Sequence, residues 1–188
     1  MTDYKALIKE MMGKKRYNHS CNVADMCVRL AEIHGEDKEK AFVAGILHDI
    51  RKEADFDEMK KEMLSSGYYV DPVELDTKGT WHGIAAAYYL KNNLSITDND
   101  ILNAVRFHTV GRARMSKLEK IVYLGDLVSE ERDYPEVEKY RGYALKDLDN
   151  AMFQAVKWSI GSLIGKGNKV PLSTMEAYNY YIEFARKK

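Results

Sequence analysis

The chain has 188 residues, 45% hydrophobic and 31% charged, and 29 basic residues balance 29 acidic ones. That length suits one domain with a sizeable core. Zero net charge excludes a global pull toward nucleic acid or an anionic membrane, so any phosphate contact has to be local. The only cysteines, Cys21 and Cys27, lie six apart and make no C-x-x-C pair. They argue against a disulfide scaffold or a thiolate zinc site and fit a reducing cytoplasm. The start, Met1-Thr2-Asp3-Tyr4-Lys5, lacks a basic-then-apolar leader pattern, and no apolar run approaches ~18 residues, so no membrane is expected as a partner.

Thr2 or Asp3 caps a first helix bearing Leu7, Ile8 and Met11, stopped by Gly13. The second runs from about Tyr17 to His34. Val23, Met26, Cys27, Leu30 and Ile33 recur at helical spacing, Gly35 ends it, and His19 lies four before Val23 on the buried stripe. Asp37 caps a third helix predicted through Ile50, where Ala41, Ala44, Gly45 and His48 share a face and the small residues let another helix approach. Asp55-x-x-Glu58 starts a helix through Leu64, ended near Gly67, and residues 67–80 read as looser, with one turn from Asp71-Pro72. Trp81 to Lys91 puts His82, Ala85, Ala86 and Tyr89 on one face. Thr97-x-x-Asp100 opens the next, with Ile101, Ala104, Val105 and His108 together; Ser116-x-x-Glu119 opens one through about Glu130, with Val122 and Asp126 aligned. Pro135 starts a short helix to Arg141, Leu145 through Leu163 mark a long one ended by Gly165, and Ser173-x-x-Glu176 opens a tyrosine-rich last helix. No convincing period-2 strand appears. The pattern predicts one all-α domain over residues 1–188, a helical bundle whose core spans about 14–155 with C-terminal helices packed on it. The last helix is expected mainly to fill the core, with a homodimer interface as its other use.

The stretch from Ala44 to Lys52 sets His48 and Asp49 side by side after an apolar, small-residue run. Burying such a pair is costly unless something neutralises it, and a bound cation is the usual answer. His19, His82 and His108 also sit on faces shared with core residues, and Asp126 joins them from another helix. A lone histidine on an apolar face is more often a core or helix-end residue with a satisfied partner. His34, beside Gly35 at a helix C-terminus, fits that description and is assigned no chemistry. Four such faces together point to side chains converging from facing helices, the way metal sites are built in bundles. Imidazole and carboxylate without thiolate suit iron, manganese or zinc, and six ligands can hold two ions. Two ions with a bridging water are a phosphoesterase device. For phosphate, Lys52 and Arg132 are the first candidates and Arg16 the next, chosen over Arg106, Arg112 and Arg114. Thr109 adds a hydroxyl and Gly111 an open backbone N–H.

In this order, His19, His48-Asp49, His82, His108 and Asp126 resemble the H…HD…H…H…D pattern of the HD-domain metal-dependent phosphohydrolases. The local wording is narrower. Arg16-Tyr17-x-His19-Ser20, His48-Asp49-x-x-Lys52, Trp81-His82, Phe107-His108-Thr109-Val110-Gly111, and Asp126 followed by Arg132-Asp133-Tyr134-Pro135-x-Val137 resemble the YqeK-like group, over about residues 14–155. The resemblance implies an all-helical HD fold around a buried di-iron centre. It implies His19, His48, Asp49, His82, His108 and Asp126 as metal ligands, with Asp49 bridging. It implies symmetrical hydrolysis of diadenosine tetraphosphate to two ADP by a metal-bridging hydroxide, with Asp49, Lys52 and Arg132 catalytic and with Lys52, Thr109 and Arg132 on phosphate. Iron leads among the metals, with manganese or zinc as alternatives. Two positions depart from the group: Gly125 stands where alanine is expected before the aspartate, and Arg51 where a small residue is expected, which puts the pocket entrance and substrate preference in question. The rivals are an HD phosphohydrolase for dNTPs, deoxymonophosphates or cyclic dinucleotides, and a non-catalytic nucleotide-binding regulator.

Overall fold

A computed structural model describes residues 3–185, and these form eleven α-helices and no strand. Helix α1 (Tyr4–Met11) is capped by Asp3, whose carboxylate accepts from the Ala6 N–H; Thr2, the other candidate cap, lies outside the described residues. Helix α2 (Lys14–His34) closes on Gly35 in the left-handed region, φ 66°, as its sequence suggests. It packs along α3 (Lys38–Leu47) and α8 (Lys117–Val128). Helices α6 (Trp81–Asn93) and α7 (Asn99–Phe107) pack together, α7 lies against α3 and α8, and α4 (Phe56–Ser65) covers α6. Between them, α5 (Pro72–Asp76) and a 3-10 turn at Lys78–Thr80 fill the looser stretch. The C-terminal helices α9 (Val137–Lys146), α10 (Leu148–Gly165) and α11 (Leu172–Ala185) add to this, with α10 lying on α8. The inner face of α11 joins the core: Ala177 and Tyr181 are fully buried, and the Tyr181 hydroxyl accepts from the Met115 N–H at 3.2 Å.

Close approach between α2, α3 and α8 depends on two glycines. A methyl at Gly45 would lie 2.9 Å from the Ala24 Cα, and one at Gly125 would lie 2.6 Å from the Cys27 sulfur. Cys27 therefore occupies the space an alanine at 125 would need, which accounts for the first departure from the group's pattern.

Several boundaries differ from the sequence reading. Helix α3 ends at Leu47, not Ile50, because His48 Nδ1 takes the Gly45 carbonyl at 2.7 Å and the chain continues in turns. Asp98, not Thr97, caps α7: its carboxylate accepts from the Asp100 and Ile101 N–H groups. Glu136 sits at φ 71°, so α9 begins at Val137 and runs on to Lys146. Asp147 then caps α10 and separates it from α9.

Candidate metal centre

Five helices deliver the six predicted ligands to one place. His19 comes from α2, the His48-Asp49 pair from the end of α3, His82 from the first turn of α6, His108 from the end of α7 and Asp126 from α8. His48 is fully buried; His19, Asp49, His82 and His108 are 3–7% exposed. Adjacent rings sit edge to face, with centroids 5.3 Å apart for His19–His48, 4.9 Å for His48–His108 and 5.0 Å for His82–His108.

Asp49 lies between two groups of imidazoles. Its Oδ2 is 3.5 Å from His48 Nε2 and 3.8 Å from His19 Nε2, and its Oδ1 is 3.3 Å from His82 Nε2 and 3.6 Å from His108 Nε2. On the first side Asp126 Oδ1 is 3.1 Å from His19 Nε2 and 4.0 Å from His48 Nε2. The carboxylate thus presents a different oxygen to each group.

The ring orientations are set by what each Nδ1 touches. His48 Nδ1 and His108 Nδ1 lie 2.7 Å from the carbonyls of Gly45 and Val105, which can only accept, so Nδ1 carries a proton and Nε2 points inward. His19 Nδ1 donates to the Glu131 carboxylate at 2.5 Å, with the same result. Carbonyl or carboxylate backing of this kind orients metal-ligating histidines. The Nε2 atoms of His19 and His48 are buried without a hydrogen-bond partner. Donor atoms of His19, His48 and Asp126, and of His48, Asp49 and His108, lie within 4.8 Å of one another. Inward-pointing Nε2 atoms facing two carboxylates fit a pair of cations, which would stand where Nε2 protons otherwise do.

Carboxylates and imidazoles offset one another's charge: burial opposes the His48 imidazolium, but Asp49 and Asp126 raise it above the ordinary imidazole value. Burial pushes the Asp49 carboxyl up, but the charge of His48 and hydrogen bonds from His108 and His48 hold it well below the usual carboxylate range. Burial, with His108 alongside, lowers His82 well below the ordinary imidazole value, so its ring is neutral. Burial also lowers the Lys52 ammonium, whose Nζ lies 3.2 Å from both ring nitrogens of His82.

Most of the predicted phosphate residues reach the cluster. Arg16 Nη1 lies 2.6 Å from Asp49 Oδ2, Arg132 Nη2 lies 2.5 Å from Asp126 Oδ1, and the Thr109 hydroxyl lies 3.1 Å from Nε2 of both His82 and His108. Gly111 does not: its N–H is spent on the Phe107 carbonyl at 2.8 Å, and its φ of 66° serves the end of α7 against Tyr123 and Ala177. Arg106 and Arg112 are held by Glu74 and Glu119. Arg51 bonds Glu58 and Glu62 of α4, each at 2.9 Å, and lies over Tyr89, so the second departure from the group's pattern is tied to α4. His34 bonds the Ala144 carbonyl, away from the cluster. Sequence reasoning missed Glu131. It stands 112 residues from its partner His19, and no local spacing marks it.

Comparison with known proteins agrees with this geometry. The HD domain family matches residues 16–131. A protein of Halalkalibacterium halodurans named symmetrical bis(5'-nucleosyl)-tetraphosphatase is 36% identical over 179 residues, with 92% of each chain covered. A Bacillus subtilis protein of the same name is 32% identical, covering 94% of this chain and 95% of its own. A crystal structure from Clostridium acetobutylicum, described as a predicted HD superfamily hydrolase involved in NAD metabolism, aligns with a TM-score of 0.92 at 36% identity, covering 96% of this chain and 95% of that one. The chain belongs to the HD-domain phosphohydrolases, in the YqeK-like branch that holds those tetraphosphatases.

Proposed function

We propose that this enzyme hydrolyses diadenosine tetraphosphate symmetrically, giving two ADP, at a centre for two metal ions. The observation that carries the reading is Asp49, whose two oxygens face separate sets of imidazoles. His19, His48 and Asp126 would hold one ion, His82 and His108 the other, and Asp49 both. The donor set suits iron first, with manganese or zinc as alternatives. When bound, such a pair supplies hydroxide near neutral pH and offsets phosphate charge.

The chain's own groups do the positioning. Arg16 and Arg132 stand against the two carboxylates and Lys52 stands against His82, so three cations border the cluster where a polyphosphate would lie. Arg132 can meet a phosphate with two N–H groups, Lys52 as a point charge. The Thr109 hydroxyl orients a phosphate oxygen over His82 and His108. Hydrolysis breaks the central P–O–P bridge: the oxygen of water ends on one phosphorus, the bridging oxygen leaves on the other, and each half departs as ADP. Since ADP is a good leaving group, placement and charge supply most of the rate, and a strong general acid is unnecessary. Free Cys21 and Cys27 favour a cytoplasmic setting.

Anaerobic purification, elemental analysis and chromatography of the products test this on one sample. Two metal ions per chain and two ADP per substrate are expected. Turnover of a dNTP, a deoxymonophosphate or a cyclic dinucleotide in preference would overturn the substrate. Full metal occupancy with saturable nucleotide binding and no turnover would make the protein a sensor.

A further inference from the structure

Helix α10 lies beyond the HD-domain match, which ends at residue 131, yet it closes a cavity on the cluster. That cavity, of about 250 Å³, is lined by His108, Thr109 and Asp126 and also by Tyr134, Trp158 and Ser159. A second cavity, of about 730 Å³, reaches His19 and Arg16 and is lined by charged and amide side chains apart from His19 and Tyr134. Arg132 and Tyr134 line both, so the two meet at one wall beside the cluster.

The two differ in chemistry. In the first, Trp158 stacks on Tyr134 with ring centroids 5.3 Å apart at 24°, and leans on Tyr140 at 6.1 Å. The Tyr134 hydroxyl donates to the Leu127 carbonyl at 3.2 Å, which fixes that ring. Supported on two sides, Trp158 is still 39% exposed. A flat, rigid, part-open aromatic wall is a stacking platform for a planar ring, and every nucleobase offers such a face. The cavity falls just below the ~300–1,000 Å³ range of sites for drug-sized ligands, which leaves room for one base and not for both nucleosides of a dinucleotide.

Resting on the function proposed above, we infer that the Tyr134–Trp158 wall is a nucleobase subsite. It stacks one base while the attached phosphates reach His108, Thr109 and Asp126. The second nucleoside lies in the polar cavity, away from Trp158. Cleavage is then symmetrical while stacking on Trp158 is one-sided, and that side belongs to α10, outside the HD-domain match.

The test compares metal-loaded wild type, Trp158→Ala and Trp158→Phe, with circular dichroism confirming the fold. Binding of ADP and of inorganic pyrophosphate is measured by calorimetry, and KM and kcat with diadenosine tetraphosphate. Trp158→Ala should weaken ADP binding and raise KM about tenfold, with a smaller change in kcat, and leave pyrophosphate affinity unchanged. Trp158→Phe should restore most of the loss. Equal weakening of ADP and pyrophosphate, unchanged ADP affinity, or no ADP binding by wild type would overturn the subsite. If wild type fails to cleave diadenosine tetraphosphate while ADP binding still depends on Trp158, the subsite stands and the assigned substrate falls.

Discussion

Arg106 and Glu74 are buried as deeply as the histidine–carboxylate cluster, at 2% and 1% exposure, but their charge is handled differently. Arg106 Nη2 donates to Glu74 Oε2 at 2.9 Å, and the guanidinium lies 4.7 Å from the Phe107 ring centroid. One cation meets one anion, and neither residue lines the two cavities at the cluster. In the cluster, four imidazoles crowd the Asp49 carboxylate, and the two cavities reach other members of the cluster, one at His108 and Asp126 and one at His19. Unsatisfied atoms do not separate the two cases, because Arg106 Nε and Nη1 also lack partners. Convergence and access do. The ion pair still serves the cluster indirectly: Arg106 is two residues before His108, and the Glu74 carbonyl accepts from Trp81 Nε1 at 2.9 Å, one residue before His82.

Three single variants and one double variant break or sharpen that contrast. Asp49→Ala should remove bound metal and lower hydrolysis by at least on the order of 10³-fold while the helical spectrum persists. Near-normal turnover would end the metal-centred reading. Arg106→Met strands a buried carboxylate and should cost about 3–5 kcal/mol, lowering Tm by about 10 °C with metal content intact. The Arg106→Met/Glu74→Leu double variant should recover most of that. A single variant that melts with wild type would show that the pair holds nothing. Glu131→Gln keeps the shape behind His19 and removes the charge. Chelator competition should find metal bound about 10- to 100-fold more weakly with Tm little moved; equal affinity would reduce Glu131 to a bystander.

Much of the fold and the cluster was legible, and the limits have physical causes. Helices read clearly because apolar residues such as Val23, Met26, Cys27 and Leu30 recur at helical spacing and all prove buried. Ends were misplaced where a side chain, not a spacing, stops the helix, as His48 does when it takes the Gly45 carbonyl. The convergence of His19, His48, Asp49, His82, His108 and Asp126 was readable because imidazole and carboxylate are rare on core faces. Gly111 misled because a glycine leaves its role open: the same residue can free an N–H for a ligand or spend it closing a helix. Glu131 and Trp158 were invisible as site residues, since each acts only through partners brought near by folding.

The wedge of Cys27 against Gly125 also constrains how this chain can change. An alanine at 125 needs the sulfur to turn away or the residue at 27 to shrink first, since a methyl there would lie 2.6 Å from it. Substitution at 125 is therefore tied to position 27, through either its rotamer or its size. A descendant with alanine beside Asp126 should carry a smaller or differently turned side chain at position 27 on the facing helix.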